Sequence, residues 1–401
     1  MSKLKELIQQ YCPDGVPNKT LGELGKFFGG LTGKSKDDFT DGNAKFITYK
    51  NVYANPALQI DVEDRVKIAD GEKQRTLQYG DVVFTGSSET PDECGISSVV
   101  TVKTEEKLYL NSFCFFFRFD DLSIMLPDFA KHLFRSNELR YQIGKTASGV
   151  TRYNVSKKLM EKVSIPVPPL PVQREIVRIL DKFTERTAAL TAELVARKKQ
   201  YEFYRDKLLT FGDVRGGATS DVVWKSLAEI ADISTGSSNT DDAVEGGCYP
   251  FFVRSQQPLA KDEYEYDEEA IITAGDGVGV GKVFHYINGK YALHQRAYRI
   301  HPATDGLLGK YLYHYFVATF PKYIGQQMYQ GSVPSIRRPM LNKFQVAIPS
   351  LDVQSRIVNV LDNFDAICSD LKIGLPAEIE ARKKQYEFYR EKLLAFHEIS
   401  N

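Results

Sequence analysis

The strongest constraint on this chain is that it repeats itself. "ARKKQYEFYRDKLL", residues 196 to 209, returns as "ARKKQYEFYREKLL" at 381 to 394, with one change, Asp206 against Glu391, in fourteen positions. Upstream, "VQREIVRILDKF" (172 to 183) and "VQSRIVNVLDNF" (353 to 364) agree at seven of twelve positions. Each copy follows a proline-rich brake, "IPVPPLP" in one case and "IPSLD" in the other. Similarity at such a spacing means that one structural unit is used twice, so the fold must be a duplicated one.

The repeated segment has the period of a packed helix. Ile176, Leu180, Phe183, Thr187, Leu190, Leu194, Arg197, Tyr201, Tyr204, Leu208 and Phe211 alternate steps of four and three through five heptads, a stripe that needs a partner helix. The second copy offers one in Ile357, Leu361, Phe364, Cys368, Leu371 and Leu375, then Ile379, Arg382, Tyr386, Tyr389, Leu393 and Phe396. The second copy has four additional residues, which place a stutter between Leu375 and Ile379. Gly374 and Pro376 stand there and predict a kink or short break. The tetrads "TAAL" and "TAEL" lie between Thr187 and Leu194. Each tetrad adds about 6 Å of helical rise, so the segment can serve as a ruler.

The remaining segments echo each other more faintly. "NKTLGEL" (18 to 24) parallels "WKSLAEI" (224 to 230), "LTGKSKDDF" (31 to 39) parallels "STGSSNTDDA" (234 to 243), and "GDVVFTGSS" (80 to 88) parallels "EEAIITAGD" (268 to 276). Short β-branched and aromatic runs between Gly, Asn, Asp and Ser turns predict a sheet-containing α+β domain in each. The order is a domain over 1–171, a helical spacer over 172–211, a second domain over 212–352 and a second helical spacer over 353–401. "LKELIQQY" resembles the tail of such a helix entering the first domain, which makes the plan roughly circular.

Composition narrows the function classes. The 401 residues suffice for two or three domains. With 52 basic and 52 acidic residues, any affinity for nucleic acid must come from local patches. Five cysteines, Cys12, Cys94, Cys114, Cys248 and Cys368, lack both disulfide and zinc spacing and read as reduced thiols of a cytoplasmic protein. No apolar run has signal-peptide or membrane-spanning character, so no membrane partner is expected.

Enzyme motifs fail on spacing. "GDGVGVGK", Gly275 to Lys282, has Asp276 where a Walker loop needs glycine and Val283 where it needs Ser or Thr. Its glycines at 275, 277, 279 and 281 never give a dinucleotide fingerprint, and it reads as a tight loop beside a strand or, as the alternative, a backbone able to approach DNA closely. Asp92, Glu105 and Lys107 mimic a PD…ExK nuclease site, in which two carboxylates hold Mg²⁺ and the lysine assists a water. The second domain has no such pair, and a chain that is 26% charged generates the pattern by chance. The six histidines form no zinc or nucleophile motif, and no N-P-P-[YF] methyltransferase motif occurs. The sequence therefore predicts no catalysis and no cofactor or metal in this chain.

Two similar domains on antiparallel helices match a two-part partner, and DNA half-sites supply that geometry. The sequence resembles the specificity subunit of type I restriction–modification systems, on "IPVPPLPVQREIVRILDKF", "LTAELVARKKQYEFYRDKLL", "IPSLDVQSRIVNVLDNF" and "LPAEIEARKKQYEFYREKLL". The resemblance implies two target recognition domains, each reading one half of a bipartite, asymmetric double-stranded DNA site. It implies helices that set the spacer and dock two methyltransferase subunits, with restriction/translocase subunits joining the complex. S-adenosylmethionine, Mg²⁺ and ATP then belong to those partners. A protein scaffold without a DNA role has the same plan and stays an alternative.

Phosphates select Lys, Arg and Ser/Thr, whereas base edges select forked Arg, Asn or Gln. On that ground the candidates in the first domain are Lys34, Ser35, Lys36, Lys50, Asn51, Ser87, Ser88, Thr151, Arg152 and Asn154. In the second they are Ser237, Ser238, Asn239, Arg254, Ser255, Gln256, Ser335, Arg337 and Arg338. "SGVTRYN" and "GSVPSIRR" occupy the same place before the helical unit, which puts Arg152 and Arg337 first. Arg197, Lys198, Lys199, Arg382, Lys383 and Lys384 form two matching basic runs: solvated helix faces, two seats for identical partners, or phosphate contacts across the spacer, with the near-identity of the copies favouring the seats over the phosphate contacts.

Overall fold

A computed structural model describes residues 3–211, 222–326 and 334–398. The chain divides into two units, one of residues 1–189 with 379–401 and one of residues 190–378. Both ends of the chain thus belong to the first unit, and the second is contiguous.

The main strands of the first unit are β1 (Gly25–Gly29), β2 (Ala44–Ile47), β3 (Arg65–Val66), β4 (Val82–Thr85), β5 (Ser97–Val99), β6 (Leu108–Leu110) and β7 (Cys114–Phe119). They form a four-stranded sheet in the order β1-β7-β4-β5 and a three-stranded sheet in the order β3-β2-β6. The period of two along a strand divides the core. Val82, Phe84, Phe115 and Phe117 join Phe129, Phe134, Ile176 and Leu180 on one side. Val83 and Phe116 join Val52, Leu58 and Leu77 on the other.

The second unit contains β8 (Ala231–Thr235), β9 (Tyr249–Phe252), β10 (Leu259–Lys261), β11 (Tyr266–Ala274), β12 (Phe284–Leu293) and β13 (Ala297–Pro302). These make one six-stranded sheet in the order β8-β13-β11-β12-β9-β10. The neighbour order is that of the first unit, with one change. The ten-residue β12 pairs antiparallel with β11 and parallel with β9. The first unit divides those two tasks between β5, on β4, and β6, on β2.

The three faint sequence echoes fall on shared local devices. The Glu23 carboxylate accepts from the Thr20 N–H at 2.7 Å, and Glu229 accepts from the Ser226 N–H at 2.7 Å. Asp38 accepts from the Ser35 N–H at 2.8 Å, and Asp242 from the Asn239 N–H at 2.7 Å. Each is a reciprocal cap that fixes the entry of a short helix. The third echo marks where β4 and β11 end, at Gly86 and Gly275.

The repeated segments form the helices α1 (Leu170–Leu208), α2 (Leu351–Ser369) and α3 (Leu375–Leu394). Along α1 the heptad stripe is the covered face: Ile176, Leu180 and Leu190 are buried, and Phe183, Thr187, Leu194, Arg197 and Tyr201 are half-buried. In the second unit Tyr204 stacks on Phe364, while Cys368, further along α2, lies beside Lys198 and Arg197 further back in α1. The two segments therefore run antiparallel. The break expected at Gly374 and Pro376 separates α2 from α3. It also corrects one stripe position, because Leu371 falls in the turn and is 81% exposed rather than packed.

A buried glutamine ties each helix start to its own unit. Gln173 donates to the carbonyls of Ile124 (2.8 Å) and Pro168 (2.7 Å) and accepts from the Leu126 N–H (2.8 Å). Gln354 donates to Gly306 (2.9 Å) and Pro349 (2.8 Å) and accepts from the Leu308 N–H (2.9 Å). The repeated "VQ" is this clamp.

Candidate nucleic-acid interface

In the first unit, Ala147–Ser148 and Tyr153–Val155 form a hairpin whose second arm pairs with Ser87–Ser88, just beyond β4. A cleft of about 720 Å³ opens beside it, lined by Tyr49, Lys50, Tyr53, Ser87, Ser88, Glu89, Glu93, Phe113, Thr151 and Arg152. Five candidates, Lys50, Ser87, Ser88, Thr151 and Arg152, thus share one wall-to-wall surface. Arg152 donates from Nε (3.1 Å) and Nη2 (2.9 Å) to Ser87 Oγ, and its guanidinium lies 5.6 Å from the Phe113 ring centroid. Tyr49 donates to the Ser87 carbonyl at 2.9 Å. Tyr53 donates to Glu93 at 2.7 Å, which holds that carboxyl below its usual range, and Ser88 donates to Glu93 at 3.3 Å. The result is an aromatic and basic cleft with an acidic rim.

Four of the other first-unit candidates bond within the fold, and Lys36 is exposed. Lys34 is half-buried and donates to Glu72 (2.7 Å) and the Lys67 carbonyl (2.6 Å), holding the Glu72 carboxyl at about 2. Asn51 bonds the Gln59 backbone from both ends of its amide. Ser35 caps the turn that begins at Lys36. Asn154 pairs with Ser87 in the strand.

In the second unit the Asp276 carboxylate holds two guanidinium groups, Arg254 at 2.7 Å and Arg296 at 3.4 Å. Ser335 pairs with Asp276, and Ser255 and Gln256 follow Arg254 on the surface. Ser238 is buried and takes up Glu265 and Lys261 (2.8 Å), Ser237 donates its N–H to Glu265 (3.0 Å), and Asn239 accepts from Gln295. "GDGVGVGK" folds as the tight loop expected, with a 3₁₀ turn at Gly277–Gly279 and positive φ at Gly277 and Gly281.

The pairing of Arg152 with Arg337 needs correction. The Val155 N–H bonds the Gly86 carbonyl at 3.0 Å, and the Ile336 N–H bonds the Gly275 carbonyl at 2.7 Å, so Val155 answers to Ile336. Arg337 then answers to Ser156, and both are caps, of Arg338–Lys343 and Lys157–Met160. The counterpart of Arg152 is Val333, which with the start of "GSVPSIRR" lies outside the described residues. Arg296, Asp276, Tyr49, Tyr53 and Phe113 escaped the sequence reading. Only the echo "GDVVFTGSS"/"EEAIITAGD" pointed toward Asp276, by setting it opposite Ser87.

Each "ARKKQYEFYR" copy divides between inside and outside. Arg197 and Arg382 are half-buried and donate to Gln200 (3.1 Å) and Gln385 (3.0 Å), one turn on. Lys198, Lys199, Lys383 and Lys384 are exposed. Phe203 and Phe388 are 62% and 61% exposed, each with a lysine, Lys207 or Lys392, 5.9 Å from its ring centroid.

The nuclease pattern does not assemble. Lys107 lines a pocket with Lys45, Arg65 and Glu106 that contains neither Asp92 nor Glu105. Among the described residues, no three His, Cys, Asp or Glu side chains group as a metal site, and no helix is long and apolar enough to cross a membrane.

The two units thus share a strand order, a clamped helix start and an arginine held just beyond a central strand. The family described as the type I restriction modification DNA specificity domain matches residues 13–197 and again residues 219–381, so the chain belongs to that family. The specificity subunit of the Escherichia coli type I restriction enzyme EcoR124I/EcoR124II is 34% identical over 269 residues, 60% of this chain. That match spans 65% of the E. coli protein's length. Among solved structures, the S subunit of the Mycoplasma genitalium type I system superposes with a TM-score of 0.57 at 15% identity, covering 94% of this chain and 96% of that one. A chain from a study of type I complex assembly and conformational transition reaches 0.62 at 18% identity, covering 95% and 97%. At these identities the likeness establishes the fold.

Proposed function

We propose that this chain is the non-catalytic DNA-recognition subunit of a type I restriction–modification complex, each unit reading one half of an asymmetric, two-part double-stranded site. The carrying observation is that the specificity domain occurs twice, on strands of one neighbour order, split between two sheets in the first unit and joined in one in the second, with different side chains on the surface. One frame with two different surfaces suits two different half-sites. The helical segments set the unread gap between them.

The matching exposed Phe203/Lys207 and Phe388/Lys392 pairs suit two identical partners, because identical surfaces seat identical proteins. Those partners are two methyltransferase subunits, joined by restriction/translocase subunits in the cytoplasm. S-adenosylmethionine, Mg²⁺ and ATP are bound by the partners.

The test is methylome sequencing of a host expressing this chain with its methyltransferase, against a host lacking only this chain. An asymmetric bipartite methylated motif that depends on the chain is expected. A methyltransferase that stays active while no motif depends on this chain would sink the proposal and favour a protein scaffold.

A further inference from the structure

Three places in the two units correspond bond for bond. Gly86 and Gly275 end the central strands, and their N–H groups donate at 2.8 Å to the carbonyls of Phe113 and Arg296. A Cβ on either glycine would meet that same carbonyl oxygen at 2.6 Å, so the approach admits no side chain. Phe113 and Arg296 are therefore the same position, and so are the residues that follow the glycines, Ser87 and Asp276.

What fills these places differs. In the first unit Ser87 holds Arg152 through Nε and Nη2, over the Phe113 ring. In the second, Asp276 holds Arg254 and Arg296, the latter standing where Phe113 stands. Both sets are reachable, since Arg152 is exposed and the side chains of Arg254 and Arg296 are 41% and 60% exposed.

Resting on the DNA-recognition reading, we infer that this shared position is the guanine reader of each half-site: Arg152 pinned by Ser87 in the first unit, Arg254 and Arg296 pinned by Asp276 in the second. Carboxylates stand beside these arginines, Glu89 and Glu93 in the first cleft and Asp276 in the second, and cut the positive charge that would draw a phosphate. A base edge has no such charge, and an arginine fork onto guanine O6 and N7 is the commonest specific contact in the major groove. Pinning one side of the guanidinium fixes the direction of the N–H groups left over. Within two residues of Arg152 and of Asp276 stand Val150 and Val278, both 90% exposed, suited to lie against a neighbouring thymine methyl.

The test uses the full chain in complex with its methyltransferase. The wild-type methylome comes first, and its failure to show any dependent motif would defeat the DNA reading itself. Given a motif, each half must contain a G·C pair; a half made only of A·T pairs overturns the inference. Arg152→Ala should relax one G·C position in one half and leave the other half intact, whereas Arg254→Ala and Arg296→Ala should relax the other half only. Uniformly weaker methylation of an unchanged motif overturns it. Independently of variant folding, the wild-type complex is titrated with duplexes carrying 7-deazaguanine at single positions. One position per half should lose affinity by about ten-fold or more, and no loss at any guanine overturns the inference.

Discussion

The two units carry the same histidine–aspartate couple and complete it differently. His132 Nε2 bonds Asp181 at 2.8 Å, and His314 Nε2 bonds Asp362 at 2.8 Å. Burial lowers the pKa of both rings, so each is neutral with its proton on the nitrogen facing the carboxylate. The other nitrogen then has to accept. In the first unit Tyr386 of α3 donates to His132 Nδ1 at 2.9 Å. In the second, Tyr201 stands at the matching place in α1, yet among the described residues His314 Nδ1 has no hydrogen-bond partner. A repeated sequence therefore repeats the packing, as in the ring stacks Phe183–Tyr389 and Phe364–Tyr204, without repeating every bond.

The glutamine clamps are the equal part of the comparison and carry the largest effect. Gln173→Ala and Gln354→Ala each strand two carbonyls and one N–H at a residue with no exposure. At about 1–3 kcal/mol per orphaned buried group, each should cost about 3 kcal/mol or more, read as accelerated hydrogen exchange confined to the altered unit. Similar losses in both units support equivalence, and a loss in one alone breaks it.

Tyr386→Phe removes the bond that only the first unit makes. Chemical denaturation should show a loss of about 1 kcal/mol, with Tyr201→Phe close to neutral. Equal losses would show that His314 finds a partner after all.

The pH dependence is a smaller effect because Asp181 and Asp362 offset the burial. With folded pKa values below the ordinary 6.5, both histidines contribute full stability above that value. Stability should fall as pH drops from 6.5 through the folded values, since the unfolded chain takes up the protons first. Around His132 the other charged neighbours are Lys131 and Asp128, and around His314 they are Lys310 and Asp365. Thermal unfolding of His132→Asn and His314→Asn between pH 8 and 5 should each show a shallower slope than wild type.

The smallest effect on stability belongs to Phe203→Ser and Phe388→Ser, within about 0.5 kcal/mol because both rings face solvent. Each single change should instead reduce the number of methyltransferase subunits bound, from two to one, by mass measurement of the complex. Unchanged stoichiometry in the double variant would remove these rings from the docking surface.

The sequence was legible wherever periodicity or repetition carried the signal. The heptad stripe marks the covered face of α1, and the Gly374/Pro376 break falls between α2 and α3. The reader positions were less legible. Arg152 was found as a cation in a turn, but Arg296 and Asp276 lie in runs that resemble any charged turn, and only the hydrogen bonds of Gly86 and Gly275 align them. Lys34 shows the reverse failure: a lysine in a polar turn reads as a phosphate contact until Glu72 is seen beneath it. The split between β5 and β6, against the single β12, was illegible because pairing partners distant in sequence decide it.

The division of the chain also has a consequence for synthesis. The second unit is complete once residue 378 has been made, whereas the first, although begun at the N-terminus, still lacks Tyr386, Tyr389 and Leu394 of its core. Of the two units, the one with the earlier residues is thus the last to close. Until α3 emerges, His132 lacks Tyr386 and Phe183 lacks Tyr389, so a nascent chain stalled near residue 378 would carry one finished unit and one open one.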